Sequence, residues 1–287
     1  MPKVSICIPT YNQIEYLKLT LDSIAIQTFQ DYEIIITDDT TGFMVKDLVD
    51  QYNFEGRLHY FKNQTPLGSP QNWNKAIEKA NGTYIKILHH DDWFKTNESL
   101  EKYVNLLADD KIDIAFSSSH VLLDNGENWI HEVSIEELDK LRSCPSSLFF
   151  GNKIGSPSAV IFRKDILEIF DKNLKWLVDV EFYIRVINKT KRVNYINEAL
   201  ITTFGAEGRV TDICVNNPTI EIFENFYLFD KIKRLFLFKG INYYFDALKV
   251  LSQLCKKYGI STKKEIRAMG YNGKIPPILI LRSRLYQ

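Results

Sequence analysis

Short apolar segments alternate with amphipathic segments through the first 117 residues, and this alternation constrains the fold more than any other feature. The apolar segments are four to six residues long and rich in β-branched side chains, which predicts buried strands. The intervening segments have apolar residues at helical spacing, as at Leu17, Leu21 and Ile24. We therefore predict a mostly parallel central sheet flanked by helices. The predicted strands are Val4–Pro9, Tyr32–Thr37, Leu58–Phe61, Tyr84–Leu88 and Ile112–Ser117, and the predicted helices are Tyr16–Gln27, Val45–Tyr52 and Pro70–Ala80.

Later segments are less regular, with further strand and helix signals at Ser158–Phe162, Val193–Ile196 and Val180–Ile187. From Pro218 onward helical spacing dominates and phenylalanine is frequent. We therefore predict a main domain followed by a helical extension, and a division of the main domain at about residue 125. The predicted units are residues 1–215, with halves at 1–125 and 126–215, and residues 216–287.

Cysteine usage and hydropathy indicate where a chain like this works. The four cysteines (Cys7, Cys144, Cys214 and Cys255) have no CxxC spacing, which is typical of a reducing compartment and disfavours a structural zinc site. The first residues lead directly into a predicted strand instead of a leader peptide. No segment reaches the ~18 consecutive apolar residues that a membrane span requires. We expect a cytoplasmic protein.

Charge is unevenly distributed although the net charge is zero. Residues 231–287 contain thirteen Lys or Arg and two acids, a net charge of +11, so residues 1–230 carry −11. In one interpretation the basic helices pack on the main domain and present a charged face to solvent. In the other they sit on anionic lipid, as a peripheral protein on the inner face of the cell membrane. Nucleic acid is disfavoured as a partner, because the larger part of the chain is acidic.

Polar side chains follow three of the predicted strands, where each strand ends. In open α/β sheets ligands bind outside the carboxyl ends of the strands. The first of these ends lacks the glycine-rich turn of a dinucleotide site. Paired acids suit a divalent cation that bridges protein and phosphates, although an Asp-Asp pair after a strand also serves as a turn or helix cap. The three segments are Thr10-Tyr-Asn12, Asp38-Asp39 and Asp91-Asp92.

Several short motifs, taken together and in order, resemble the family 2 inverting glycosyltransferases of bacterial surface-polysaccharide synthesis. Each motif is weak alone, but the combination covers about residues 2–210. The resemblance implies the nucleotide-diphospho-sugar transferase fold known as GT-A. The matching segments are Val4-Ser-Ile-Cys-Ile-Pro-Thr-Tyr-Asn12, Gln27-Thr-Phe-Gln-Asp-Tyr-Glu33, Ile36-Thr-Asp-Asp39, Gly82-Thr-Tyr-Ile85, Leu88-His-His-Asp-Asp-Trp93, Gly155-Ser-Pro-Ser-Ala159 and Asp179-Val-Glu-Phe-Tyr-Ile-Arg185.

The resemblance implies roles for the residues at the strand ends. Pro9 and Tyr11 would line the base pocket, with Tyr11 stacking on the base. Asp39 would accept a hydrogen bond from the N3–H of uracil or thymine. Asp91 and Asp92 would occupy the metal and ribose-phosphate motif, with Asp92 as the direct ligand of Mn²⁺ or Mg²⁺.

Asp179 lies where the family keeps its general base. That base takes the proton of the acceptor hydroxyl while the metal stabilises the leaving diphosphate. We expect its pKa to be raised by the neighbouring acids. Capping the following helix is the alternative role for Asp179. Glu181 is the second choice for the base, and Arg185 either lies in the acceptor and sugar pocket with it or forms an ordinary ion pair with it.

Other positions depart from the family pattern or match it loosely. His89 stands where many relatives carry an acid, so it either reduces the carboxylate count of the metal site or is structural. Asn74 matches a nucleotide-contacting helix, and Arg209 is the single cation in a loop that closes over the diphosphate in many relatives. Ser156 and Pro157 would form the floor of the sugar and acceptor site.

The sequence therefore predicts an inverting, metal-dependent transferase that uses a UDP-sugar and extends a glycan, with a lipid-linked acceptor. A donor of the dTDP-rhamnose type remains open, since thymine would pair with Asp39 equally well. A non-catalytic sugar-nucleotide-binding module is the alternative from another class. A nucleotidyltransferase is disfavoured, because it needs a glycine-rich basic loop after the first strand.

Overall fold

The computed structural model describes residues 1–166, 169–205, 210–277 and 279, and this part contains nine strands and ten α-helices. The strands are β1 (Val4–Thr10), β2 (Tyr32–Asp38), β3 (Leu58–Lys62), β4 (Tyr84–Ile87), β5 (Asp92–Phe94), β6 (Ile114–Leu123), β7 (Asn128–His131), β8 (Val160–Arg163) and β9 (Val193–Gly205). The helices are α1 (Ile14–Ala25), α2 (Met44–Val49), α3 (Gln71–Lys79), α4 (Ser99–Leu106), α5 (Ile135–Ser143), α6 (Val178–Thr190), α7 (Val210–Cys214), α8 (Pro218–Lys239), α9 (Ile241–Lys257) and α10 (Lys263–Ala268).

All nine strands belong to one sheet, in the order β3-β2-β1-β4-β8-β6-β9-β5, with β7 paired to β6. The four strands β1 to β4 are parallel, as the alternating pattern predicts. Beyond β4 the sheet is mixed, because β8 runs antiparallel to both β4 and β6, while β6 and β9 are parallel. The carboxyl ends of β1, β2 and β4 therefore lie at one edge of the sheet, where polar side chains were predicted to meet.

β1 and β2 are buried on both faces because alternate side chains enter different cores. In β1, Ile6 and Ile8 belong to the core with α1, whereas Cys7 belongs to the core with α3 and α6. In β2 the same division separates Ile36 from Ile35. This explains why these strands are continuous apolar segments and not alternating ones.

The C-terminal helices share a core with the main domain. Apolar residues of α8 and α9, such as Phe226, Phe229 and Leu248, belong to the same cluster as α6. Lys231 also forms an ion pair with the buried Glu181 of α6 at 2.6 Å. The extension thus packs on the main domain, and the boundary at residue 215 stays a prediction. In the described part of the chain, every helix is too short or too polar to cross a bilayer.

Candidate functional site

A cavity of about 1020 Å³ opens at the carboxyl ends of β1, β2 and β4. Its opposite wall comes from the start of α6, the segment before β8 and residues of α8 and α9. The cavity brings together residues that are far apart in sequence, and most of those predicted for the site line it: Pro9, Tyr11, Asp39, Asp91, Asp92, Ser156, Pro157 and Asp179.

The loop after β1 holds Tyr11 at the cavity in a fixed backbone conformation. Asn12 and Gln13 both adopt left-handed conformations, with φ of 55° and 49°. Such conformations are unfavourable for residues with a side chain and persist when surrounding contacts impose them. Here the Asn12 amide donates to the Thr40 hydroxyl at 2.7 Å, and the Gln13 side chain lies 2.9 Å from a ring nitrogen of His90. Tyr11 itself is 55% exposed, so its ring is available to a ligand.

Asp39 is a buried acceptor with room for one more donor. Its carboxylate accepts hydrogen bonds from the side chain of Asn63 at 2.7 Å and from the backbone amides of Leu67 and Gly68 at 3.0 and 2.8 Å. An ionised carboxylate offers about four lone-pair sites, and these contacts use three. The remaining site can accept an N–H of a ligand in the cavity.

His89, Asp91 and Asp92 form a cluster that fits a divalent cation. One ligand atom from each residue lies within 4.8 Å of the others. Burial, with the charge of Asp91 as the next cause, raises the pKa of Asp92 to about 7. Burial lowers the pKa of His89 to about 4, so its ring is neutral and able to act as a ligand. Its Nε2 is buried without a hydrogen-bond partner among the described residues. Two carboxylates suit Mn²⁺ or Mg²⁺, and an imidazole is compatible with Mn²⁺.

Contacts from three separate segments position this cluster. The Ser156 hydroxyl donates to one oxygen of Asp92 at 3.1 Å, and the Phe204 amide donates to the other at 3.2 Å. Trp73 packs on the His89 ring, with 4.7 Å between ring centroids. The side chains are thus held before any ligand arrives, which reduces the cost of binding.

Asp179 is a second carboxylate in the same cavity, and it is partly buried. It lies in the first turn of α6, but Leu177 is the N-cap residue, so Asp179 does not cap the helix. The Asn152 side chain donates to one of its oxygens at 2.9 Å, and the Val180 amide donates to the other at 2.8 Å. Burial raises the pKa of Asp179 to about 7, and the charge of Glu224 adds to this. The predicted direction is found, with burial as the larger cause.

Glu224 of α8 connects the extension to the site, and sequence reasoning missed it. Its buried carboxylate accepts the backbone amides of Lys175, Trp176 and Leu177 at 2.7 to 3.0 Å, which lie at the start of α6. Leu177 is the N-cap residue of α6 and Lys175 and Trp176 directly precede it, so Glu224 fixes the segment that leads into the helix. The contacting residues are 47 to 49 positions apart in the sequence, so no local sequence pattern indicates the contact. Asn152 was also missed, because an isolated asparagine in a loop has no distinctive spacing.

Two further predicted residues are engaged in an ion pair away from the cavity lining. Arg185 donates to both oxygens of Glu181 at 2.9 Å, and Glu181 is 1% exposed in its side chain. The ordinary ion pair that the sequence left open is therefore what the structure contains. Asn74 uses both ends of its amide on the backbone of Phe170, at 2.8 and 3.0 Å. Arg209 lies outside the described residues.

The sequence model of the family described as "Glycosyl transferase family 2" matches residues 5–170. The putative teichuronic acid biosynthesis glycosyltransferase TuaG of Bacillus subtilis is 25% identical over 246 residues, which are 83% of this chain and 92% of TuaG. The GalNAc(5)-diNAcBac-PP-undecaprenol beta-1,3-glucosyltransferase of Campylobacter jejuni is 29% identical over 171 residues, which are 58% of this chain and 54% of that protein.

Solved structures of similar fold include TarS 1-349 of S. aureus in complex with UDP-GlcNAc. It has a TM-score of 0.65 and 18% identity, and covers 98% of this chain and 78% of that chain. The mannosyltransferase PcManGT from Pyrobaculum calidifontis was solved in complex with GDP-Man and Mn²⁺. It has a TM-score of 0.62 and 14% identity, and the match covers 99% of this chain and 86% of that chain. At these identities the likeness concerns the fold alone.

Proposed function

The chain belongs to glycosyl transferase family 2, whose model matches more than half of it, and from this premise we propose that it transfers a sugar from a UDP-sugar to a hydroxyl of a lipid-linked glycan, with inversion. The predicted GT-A fold is confirmed. One observation carries the proposal: a single cavity contains both the His89, Asp91 and Asp92 cluster and the separate, partly buried carboxylate of Asp179.

The donor base is proposed to bind at the ends of β1 and β2. Tyr11 stacks on the base and Pro9 lines the pocket beside it. Asp39 accepts the N3–H of uracil or thymine through its remaining lone-pair site, a donor that the ring nitrogens of cytosine and adenine do not offer. TarS, whose fold is similar, was solved with UDP-GlcNAc, which supports a uridine nucleotide. Thymine presents the same N3–H, so a dTDP-sugar is the second candidate donor.

The proposed metal ligands are Asp92 and Asp91, with His89 as the third member of the cluster. A bound Mn²⁺ or Mg²⁺ would neutralise the charge that develops on the leaving diphosphate. Ser156 and the Phe204 amide orient Asp92 for this role through the contacts described above. PcManGT, which has a similar fold, was solved with Mn²⁺.

Asp179 is proposed as the general base. In an inverting transfer the acceptor oxygen bonds to the anomeric carbon as the bond to the diphosphate oxygen breaks, and Asp179 takes the hydroxyl proton. A base is most effective when its pKa lies near the working pH, and the pKa of Asp179, raised to about 7, meets this condition. Asn152 keeps one of its oxygens oriented.

The acceptor is proposed to enter between the start of α6 and the C-terminal helices. Phe149, Phe150 and Trp176 line this part of the cavity, and aromatic faces suit sugar rings. Ser156 and Pro157 line the floor between donor and acceptor. The Campylobacter relative is named for a PP-undecaprenol-linked acceptor, which supports a lipid-linked glycan here and a cytoplasmic, membrane-peripheral location.

A donor screen tests the proposed function. UDP-, dTDP- and GDP-sugars are incubated with the protein and Mn²⁺, and donor hydrolysis and the shift in Tm are measured. We expect uridine donors to raise the Tm and to be hydrolysed slowly, with a smaller response to GDP-sugars. Stabilisation without hydrolysis or transfer would instead indicate a non-catalytic binding module, and no response to any nucleotide sugar would contradict the proposal.

Replacement of Glu224 by Gln should move the pH profile of the reaction. The change removes a negative charge that contributes to the raised pKa of Asp179, so Asp179 ionises at lower pH. The neighbouring Tyr183 is neutral, since burial holds its pKa well above the ordinary value. We expect the acid limb of kcat/KM, which lies near pH 7 because the base must be ionised, to move to lower pH.

Glu78→Gln, at an exposed carboxylate of α3, is the matched control and should leave the profile unchanged. If Glu224→Gln lowers thermal stability but leaves the acid limb in place, the glutamate only stabilises the segment that leads into α6. Retention of the acid limb would thus refute its influence on Asp179.

A further inference from the structure

The corner between α8 and α9 exposes four large apolar side chains. Leu237 and Phe238 lie in the last turn of α8, and Ile241 and Phe245 lie in the first turns of α9. Gly240 is the single residue between the two helices. Their exposed fractions are 49%, 87%, 57% and 37%. Leu237, Phe238, Ile241 and Phe245 are called the apolar corner below. Large exposed apolar side chains that lie so close together in the chain are typical of an interaction site.

Cations border the apolar corner on both helices. Arg234 lies three and four residues before Leu237 and Phe238, so it shares their face of α8. Lys249 lies four residues after Phe245 on the matching face of α9, and Lys239 sits at the junction. All three are exposed, and among the described residues they have no ion-pair partner.

Other lysines of the extension are neutralised internally. Lys231 pairs with Asp171 and Glu181, and Lys257 pairs with Glu221. Part of the positive charge of the extension that is not neutralised by acids therefore lies at the apolar corner, on Arg234, Lys239 and Lys249. Lys191 of the α6 C-terminus adds to it, because it lines a small hollow together with Phe238 and Lys239.

The apolar corner lies next to the acceptor side of the cavity. Phe150 lines the cavity and packs edge-to-face on Tyr243 of α9, with 5.2 Å between ring centroids. It also contacts Phe236 of α8, at 6.0 Å. Tyr243 and Phe236 are sequence neighbours of the corner residues, so a surface bound at the corner is close to the acceptor entrance.

We propose that the apolar corner enters the interfacial layer of an anionic bilayer, with Arg234, Lys239 and Lys249 at the level of the lipid headgroups. The inference rests on the proposed lipid-linked acceptor, which it would bring to the cavity. Apolar tips flanked by long cationic side chains suit this interface, because the cations reach the headgroups while the tip enters the acyl boundary. A second copy of the chain is disfavoured as the occupant, since two copies of the same basic border would repel each other.

Vesicle co-sedimentation tests this surface. The full chain is mixed with vesicles of equal parts phosphatidylcholine and phosphatidylglycerol, or of phosphatidylcholine alone. We expect binding to the anionic vesicles that weakens with added salt. Phe238→Ser with Ile241→Ser should reduce the partition coefficient on the order of tenfold or more, and Arg234→Gln with Lys239→Gln should reduce it about fivefold per cation.

Phe43→Ser with Met44→Ser is the matched control, because these side chains are also exposed, at 73% and 47%, and lie at the start of α2, whose buried residues belong to a different core from those of the extension. The control should bind vesicles like the unchanged chain. Equal binding by the corner variant, or no binding by the unchanged chain, would overturn the proposal. So would a dimer of the chain, seen by analytical ultracentrifugation, that the corner variant abolishes.

Donor hydrolysis without vesicles separates this inference from the proposed function. The corner variant should retain donor hydrolysis, since its substitutions do not touch the nucleotide end of the cavity. A chain that binds vesicles but never turns over a donor would refute the proposed function and leave the membrane surface standing.

Discussion

Asp179→Asn should lower kcat about a hundredfold to ten-thousandfold, the range that a positioned general base contributes, while Mn²⁺-dependent UDP affinity stays unchanged. Asparagine has nearly the same shape and retains an oxygen for the Asn152 side chain, but it cannot take the acceptor proton. Donor binding is expected to persist because Tyr11, Asp39 and Asp92 are untouched. Transfer is measured with the donor identified by the screen, and UDP affinity by calorimetry.

Stability measurements show whether this variant is properly folded. The folded-state pKa of Asp179 is raised to about 7, from 3.8, so ionising it in the folded protein is unfavourable. The neutral form of Asp179 therefore contributes to the free energy of unfolding. This contribution is fully present below about pH 4 and is lost as the pH rises through the folded-state pKa. The variant removes that penalty, so it should unfold at no lower urea concentration than the unchanged chain at pH 8.

Asp47→Asn, at an exposed carboxylate of α2, is the matched control and should transfer at the normal rate. Full activity in Asp179→Asn would show that another group takes the proton. Glu181 was the second choice from sequence, but its ion pairs with Arg185 and Lys231 make it a poor base. Loss of UDP binding together with transfer would show that the substitution damaged the cavity as a whole.

The parallel half of the fold could be predicted because its signals are local. β1 and β2 are largely apolar segments that are buried along their whole length, and polar residues follow the carboxyl ends of β1, β2 and β4. Helix α5 was missed although Ser134 and Glu137 form a capping box that the sequence displays. Helix α4 was missed as well, although its apolar residues occur at helical spacing.

The rest of the site depends on contacts that sequence spacing does not reveal. Asp92 was expected to follow a strand, yet it begins β5, which pairs with β9 more than 100 residues later. Its carboxylate is oriented by Ser156 and by the Phe204 amide, both distant in sequence. Glu224 reaches Asp179's helix in the same way. The residue types at the strand ends predicted which side chains come together in the site. The burial of these side chains, and the residues that orient them, could be seen only in the three-dimensional structure.

Asp179 and Asp92 are held by different parts of the molecule, so substitutions near each of them should have different effects. Asp179 is held by Asn152 and lies in a helix start that Glu224 stabilises, so its environment includes the C-terminal extension. Asp92 is held by Ser156, in the segment before β8, and by the Phe204 amide of β9. Substitutions in α8 should therefore affect proton transfer more than donor binding, while substitutions around β5 and β9 should do the reverse.

Asp92→Asn should reduce Mn²⁺-dependent UDP affinity at least about a hundredfold, because a direct ligand matters no less than the outer contacts that change affinity 10–100-fold. Asparagine retains an oxygen for the Phe204 amide, and its amide group can donate to the Ser156 hydroxyl, so the local structure should persist. Transfer should fall with binding. Calorimetric titration of UDP with Mn²⁺, and again with a chelator, measures the metal-dependent part directly.

Asp91→Asn and His89→Asn are the companion variants that divide the cluster. If Asp92 is the direct ligand, Asp91→Asn should weaken metal-dependent binding less than Asp92→Asn does, and His89→Asn reports whether the imidazole is a ligand or only packs on Trp73. Metal-free UDP binding should be equal in all three, because the proposed base contacts at Tyr11 and Asp39 are separate from the cluster. Unchanged Mn²⁺-dependent affinity in Asp92→Asn would remove Asp92 from the metal site and leave Asp91 and His89 as its remaining candidates.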